Sequence, residues 1–312
     1  TLILDDPHNS GTQTTPCDFF LRRKKSELKQ KNLGPPILFA RTTIMEPAST
    51  DTITSTANAE VKRLRSLHER KFRRQTGWFL AEGMRICTEA VALGWRMHRL
   101  AYLASRAGDG QVQALLEALA RDGGRRLPVT ESLLGRISRK DNPQMVLGAF
   151  EQRWLDTEAI TPDRNRPWIA LDRVRDPGNL GTIMRTADAT GARGVILIGD
   201  CTDPYSVEAV RASMGAVFNV ELAAMSEAEF LTLAAGWPGQ VIGTALPASR
   251  DYRTADYDSP LILLMGNEQA GLTDGLMSAC TQLVRMPMRG RSDSLNLAVA
   301  SGLALYEALR KS

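Results

Sequence analysis

Several things are missing from this 312-residue chain. No apolar run approaches the roughly 20 residues that a bilayer span needs, so a membrane protein is not expected. Cysteine is scarce: Cys17, Cys87, Cys201 and Cys280 are scattered and form no C-x-x-C pair. That argues against a disulfide framework and a thiolate metal site; the four read as idle or buried thiols in a reducing compartment, the cytoplasm. The three histidines, His8, His68 and His98, lack metal-ligand spacing, and no metal is expected. Both a G-x-G-x-x-G fingerprint and a Walker lysine motif are absent, which disfavours nicotinamide cofactors and nucleoside triphosphates. No apolar segment follows a basic one near the start, so a secretory signal is not expected, and Asp5 and Asp6 count against a mitochondrial transit peptide.

What is present is ordinary in amount and uneven in distribution. Hydrophobic residues make up 43% and charged residues 24%, with a net charge of +4. The stretch 61–74, "VKRLRSLHERKFRR", holds seven Lys or Arg and one acidic residue. It reads either as a solvated helix face or as a surface for phosphate backbone. Residues 1–52 are polar and turn-rich, with a charge run and a Pro-Pro break, and read as a disordered leader. Residues 53–150 read as a small α/β unit with strands "GWFLAEG", "MHRLAYLA", "RLPVT" and "MVLGAFE" and helices in "MRICTEAVALG" and "GQVQALLEALARDGG". Residues 151–167, polar and with two prolines, read as a linker.

From residue 168 onward buried apolar strands alternate with helices. The strands are "WIALD", "GVILIG", "FNVEL", "QVIGTAL", "PLILLMG" and "QLVRMPM", with helices over 179–190, 207–214 and 227–235. That alternation predicts a doubly wound parallel sheet. In the last segment Leu295, Ala298, Val299, Gly302, Leu303, Tyr306 and Leu309 share one helical face, with Ser294 as the expected N-cap.

Ligands of open α/β sheets gather at the carboxyl ends of strands, and three segments place unusual polar residues there. In "LDRVRDPGNLGTIMRTADATGARGVIL" a turn leads to Asn179 as a possible cap, Gly181 for close packing, and Arg185 nearly two turns on. In "LILLMGNEQAGL" five apolar residues run into Gly266, Asn267 and Glu268, and Gly271 follows. In "VRMPMRGRSDSLNLAVA" a broken strand and a glycine loop lead to Ser294, Leu295 and Asn296 at a helix start, whose free N–H groups suit a ligand's polar edge. Met286 and Met288 offer apolar walls there.

These three segments, in this order, resemble the motifs of the SpoU/TrmH family of RNA ribose 2′-O-methyltransferases within the SPOUT superfamily. "DPYSVEAVRASMGAVF" is also family-like, and residues 53–150 resemble the accessory L30e-like RNA-binding domain, with "AEGMR" as the best mark. The resemblance implies an α/β fold with a trefoil knot in residues 168–312, and a homodimer formed through that domain. It also implies S-adenosylmethionine (SAM) as cofactor and methyl transfer to a ribose 2′-hydroxyl, of ribosomal RNA in preference to tRNA. The implied catalytic residues are Arg185, Asn179, Glu268, Ser294 and Asn296. The cofactor would lie among Thr244, Ala245, Leu246, Gly266, Asn267, Glu268, Gly271, Met286, Met288, Ser294, Leu295 and Asn296. RNA would meet Lys62, Arg63, Arg65, Arg70, Arg73, Arg74 and Arg211. A non-catalytic RNA-binding protein and a Rossmann-type enzyme are the rival readings; the full polar set weighs against the first, the missing fingerprint against the second.

Overall fold

The computed structural model describes residues 51–246 and 248–311. The expected leader, apart from its last two residues, and Cys17 and His8 lie outside the described residues. Short helices carry the basic stretch. Asn58 caps α1 (Ala59–Ser66), its side-chain oxygen accepting from the N–H groups of Glu60 and Val61. The second helix, α2 (Arg70–Thr76), ends at Gly77, whose φ of +68° suits glycine. Then follow β1 (Trp78–Glu82), α3 (Met84–Ala92), β2 (Met97–Leu103), α4 (Gly110–Arg121), β3 (Arg125–Val129), α5 (Glu131–Ser138) and β4 (Val146–Glu151). The four strands form one mixed sheet, ordered β1-β4-β2-β3. The helix α5 does not figure in the sequence reading: it is short and carries Gly135, yet Leu133, Leu134 and Ile137 bury its inner face.

The second sheet has seven strands: β5 (Trp168–Asp172), β6 (Gly194–Ile198), β7 (Glu221–Met225), β8 (Gln240–Thr244), β9 (Arg250–Asp251), β10 (Leu261–Met265) and β11 (Gln282–Arg285). Between them lie α6 (Pro177–Ala189), α7 (Val207–Ala212), α8 (Glu227–Ala235) and α9 (Asp274–Ser278), and α10 (Leu297–Lys311) closes the chain. The order is β7-β6-β5-β10-β8-β11-β9, and every pair is parallel, as the alternation predicts. The central strands are buried on both faces. Ile169 and Leu171 of β5 pack with Leu180, Ile183 and Met184 of α6, whereas Trp168 and Ala170 pack with Phe230 of α8 and Leu276 of α9. Among the described residues no helix is long and apolar enough to cross a membrane.

Three sequence expectations shift. The helix after β5 starts at Pro177, capped by Asp176 rather than Asn179, because the Asp176 carboxylate accepts the Asn179 N–H at 2.6 Å. The strand expected in "FNVEL" begins at Glu221, because residues 216–218 form a 3-10 turn that buries Phe218. The cap of α10 is Asn296, not Ser294: Asn296 Oδ1 accepts from Ala298 at 2.9 Å and Val299 at 3.3 Å. Of the face read from the sequence, Ala298 is buried and most of the rest is exposed. The helix buries Leu297, Ala298, Ser301, Ala304, Leu305 and Ala308, while Leu295, Val299, Leu303, Tyr306 and Leu309 are exposed. A helix apolar on two sides gives its periodicity no means of choosing between them.

The two sheets share a core. Phe79, Trp95 and Phe150 meet Tyr205 and Phe218, with ring centroids 4.6 to 5.6 Å apart for Phe79–Tyr205, Phe79–Phe218, Trp95–Phe218 and Phe150–Phe218. Tyr205 and Phe218 lie in the family-like stretch 203–218. Its other residues also reach across: Arg211 bonds Glu82 at 3.0 Å, Met214 O accepts from Arg85 at 2.9 Å, and Phe218 O accepts from Trp95 Nε1 at 3.0 Å. The start of the expected linker is bonded to both lobes, with Gln152 N donating to Gly77 O and Leu155 N to Leu222 O. Burial would raise the Glu82 carboxyl, but hydrogen bonds from Lys140 and the Gln144 N–H, with the charge of Arg211, hold it below the usual range.

Arg73 is the most buried of these junction charges, 3% exposed. Its guanidinium meets Asp203 at 2.7 Å and donates to Leu67 O and His68 O, both at 2.9 Å. Replacing it strands one carboxylate and two carbonyls, a loss in the range of broken buried pairs. Arg73→Met is therefore expected to cost about 3 kcal/mol of unfolding free energy. Lys62→Met, on the exposed face of α1, should change it by less than about 0.5 kcal/mol. Denaturant titration of the two variants checks the contrast.

Candidate functional site

The strand β10 lies between β5 and β8, pairing Ile262 with Trp168 on one side and Val241 on the other. The loops that leave β5, β8, β10 and β11 therefore emerge along one edge of the sheet. The jump in strand order from β5 to β10 marks the switch point where open α/β sheets bind ligands.

The loop after β10 is a tight turn built by Asn267. Its backbone exchanges hydrogen bonds with Gly271, at 3.2 and 3.0 Å. Its Oδ1 accepts from Gln269 N at 2.9 Å and Ala270 N at 3.0 Å, and its Nδ2 donates to Arg173 O at 2.8 Å. Gly266 is needed because a Cβ there would sit 2.7 Å from the carbonyl carbon of Gly271. The Asn267 side chain, expected to hold cofactor, is thus occupied by the turn, with one amide hydrogen to spare. Arg173 is held in turn: its φ is +47°, and its guanidinium binds the buried Asp172 carboxylate through two 2.8 Å bonds. Sequence reading missed this pair because an Asp-Arg dipeptide carries no spacing signal.

Three residues from separate segments, Asn179 in the first turn of α6 and Glu268 and Asn296 in loops, meet beside that turn. Asn296 Nδ2 donates to Asn179 Oδ1 at 2.9 Å, and Asn179 Nδ2 donates to Glu268 Oε1 at 3.4 Å. Arg185 stands apart from them. On an unbroken helix it lies about 9 Å along the axis from Asn179 and about 120° around it. It is exposed and makes no hydrogen bond or ion pair among the described residues. Gly181 serves packing: a Cβ there would fall 2.4 Å from the Ala212 Cβ, so its absence lets α6 close on α7.

The remaining expected site residues line the same edge. Thr244 Oγ1 lies 3.7 Å from the Met265 sulfur, and Ala245 N donates to Val284 O at 2.9 Å. Leu246 and Leu295 are large apolar side chains left exposed, at 68% and 39%, and Met286 and Met288 are half-buried. Ser294 is exposed, and among the described residues its side chain donates to Asp293 Oδ1 at 3.4 Å; the structure does not join it to the Asn179 group. Burial pushes the thiols of Cys87, Cys201 and Cys280 up to about 12, 11 and 12, so none is a thiolate nucleophile near neutrality.

The basic stretch divides into an outer and an inner set. Lys62, Arg63, Arg65, Arg70 and Arg74 are exposed, Arg63 and Arg70 with distant partners, Glu60 and Asp200, at 3.6 Å. Arg73 is buried and cannot reach a ligand. Arg211, half-buried and bonded to Glu82 and Ser138 O, holds the junction of the sheets. Sequence reading passed over Arg99 and Arg125, which join Glu60 at 2.6 and 3.2 Å and extend the basic surface from α1 onto the sheet.

Comparison with known proteins gives the site a context. Residues 167–306 match the model of the SpoU rRNA Methylase family, and residues 58–148 that of the MRM3-like substrate binding domain. An uncharacterized tRNA/rRNA methyltransferase of Synechocystis sp. is 33% identical over 86% of this chain and 97% of its own. The 23S rRNA (uridine(2479)-2′-O)-methyltransferase of Streptomyces viridochromogenes is 32% identical over 78% of this chain and 87% of its own. The crystal structure of an AdoMet-bound rRNA methyltransferase from Sinorhizobium meliloti superposes with a TM-score of 0.79, at 46% identity, over 83% of this chain and 97% of that one.

The turn after β10 rests on the Asn267 side chain. Asn267→Ala should speed hydrogen exchange at the Gln269 and Ala270 amides at least about tenfold, since each loses its acceptor. Exchange in the central strands should stay near wild type, which amide-resolved measurements will show.

Proposed function

The chain belongs to the SpoU rRNA methylase family, and from that premise we propose that it transfers a methyl group from SAM to a ribose 2′-hydroxyl of ribosomal RNA. One observation carries the reading: Asn179, Glu268 and Asn296, from three separate segments, are joined by hydrogen bonds through Asn179 at the switch point. A binding module would not require that convergence.

The loops fit SAM. Leu246, Leu295, Met286 and Met288 offer apolar surface for adenine, and the turns at residues 244–246 and 266–271 offer backbone groups for its polar edge. When bound, SAM supplies an activated methyl on a sulfonium, so the protein's part is to position the nucleophile and manage charge. Arg185 cannot act as a simple base, because a guanidinium stays protonated in proteins. It grips the phosphate beside the target ribose and favours charge developing on the hydroxyl oxygen. Asn179 orients the ribose or phosphate through its second amide hydrogen, and Glu268 keeps one carboxylate oxygen for the site.

The lobe of residues 53–150 is the RNA-binding domain, of L30e-like type, and the outer basic set on α1 and α2 meets RNA backbone. The sequence match to a substrate-binding domain supports this. The exposed stripe of Leu295, Val299, Leu303 and Tyr306 supports a homodimer formed through α10, since a contiguous apolar face on a folded unit marks an interface. The placement of β10 between strands that precede it in the chain supports a knotted C-terminal region. A ribosomal RNA substrate is consistent with a cytoplasmic enzyme.

Two measurements test the reading. With labelled SAM and ribosomal RNA, Arg185→Ala should keep SAM binding and lose at least about tenfold in methyl transfer, about 1.4 kcal/mol of barrier; near-normal turnover would remove Arg185 from the mechanism. Reversing the charge of Lys62, Arg63 and Arg65 should weaken RNA binding at least about tenfold and flatten its salt dependence. An unchanged salt slope would leave α1 as a solvated face.

A further inference from the structure

We propose that Asn296 is a positioning residue: it dictates which way the amide of Asn179 faces and, through Asn179, what is presented to Glu268. The proposal deepens the methyltransferase reading and rests on it for the effect on turnover.

An Asn side chain accepts at one end and donates at the other, so its direction is set by its neighbours. Asn296 sits at the start of α10, where the N–H groups of Ala298 and Val299 have no partner within the helix. They are donors and cannot become anything else. Asn296 must therefore turn Oδ1 toward them, at 2.9 and 3.3 Å. The opposite orientation would set its NH₂ against two N–H groups and the positive end of the helix.

With Oδ1 so placed, Nδ2 points at Asn179, and only an acceptor can answer it. Asn179 must offer Oδ1, at 2.9 Å. Its own Nδ2 is then directed to Glu268 Oε1, at 3.4 Å. An ionised carboxylate is acceptor-only, so the last link agrees with the first. The polarity of the whole chain begins in backbone amides, which neither flip nor titrate. It leaves the second amide hydrogen of Asn179 and the second oxygen of Glu268 to face substrate in a fixed sense. Asn296 need not touch substrate to govern this.

One substitution separates positioning from capping. In Asn296→Asp the carboxylate still caps α10, since aspartate is a favoured cap. It now shows an acceptor to Asn179, which must turn over and bring its own oxygen against Glu268. Glu268→Gln restores a donor at that point. The test is a double-mutant cycle in the full chain, read by thermal unfolding. The Asn296→Asp/Glu268→Gln protein should melt about 2 °C or more above the value expected from adding the single effects. The excess should vanish when the cycle is repeated on Asn179→Ala. Additive single effects would overturn the proposal. So would coupling that survives Asn179→Ala, because it would be direct charge repulsion between positions 296 and 268. In methyl transfer to ribosomal RNA, Asn296→Asp should lose at least about tenfold in kcat with little change in KM for SAM. Wild-type kcat would show that Asn296 only caps the helix. Should the unsubstituted protein transfer no methyl group, the functional reading fails, and the unfolding cycle still decides the relay.

Discussion

The placement of β10 between β5 and β8 organises the rest of the molecule. All three strands run parallel, so their carboxyl ends lie at the same edge. A strand in that position is covered on both faces, and Leu261–Met265 is accordingly apolar throughout. Polarity can begin only where cover ends, at Gly266. The abrupt change from "LILLM" to "GNE" is therefore the boundary between sheet interior and ligand edge. The same edge receives the loop from β5 with Asp176 and Asn179, and the loop from β11 that ends in Asn296. Residues more than a hundred positions apart can then share hydrogen bonds without a special connection.

A second constraint holds the basic lobe to this edge. The segment 203–218 contributes Tyr205 and Phe218 to an aromatic cluster centred on Phe79, and Asp203 and Arg211 to ion pairs with Arg73 and Glu82. Large aromatic side chains give most of the buried area in such a junction, and the charge pairs fix its register. Two features of the stretch 61–74 now separate cleanly. Its inward arginine keeps the lobes together, and its outward cations keep the surface basic.

Much of this was legible in the sequence. The parallel sheet could be read because "WIALD", "GVILIG" and "LILLM" are continuous apolar runs broken by helices. The meeting of Asn179, Glu268 and Asn296 could be anticipated because each follows the carboxyl end of such a run. What could not be read has physical causes. Periodicity reports that a helix face is apolar, not what covers it, so it could not show that the α10 face with Val299 and Tyr306 is left exposed while Leu305 and Ser301 pack inward. Composition reports that Arg73 is charged, not that Asp203, 130 residues on, would draw it inside. Caps were misplaced by two or three residues, at Asn179 for Asp176 and Ser294 for Asn296, because several adjacent residues were able caps and only the backbone path selects one.

The charge economy of the site follows from these placements. Its centre is built from amides, with a single carboxylate on one side and the Arg185 guanidinium held apart on α6. Amides can be oriented by backbone donors and then hold that orientation through a fixed count of donors and acceptors, whereas a second carboxylate would repel Glu268 and a second cation would repel Arg185. A site that must accept a cationic cofactor and an anionic polymer side by side is better served by fixed dipoles than by further charges, since dipoles discriminate by direction and add no net field. The start of α10 supplies that direction. Its backbone N–H groups fix Asn296, and from Asn296 the sense of every later donor follows.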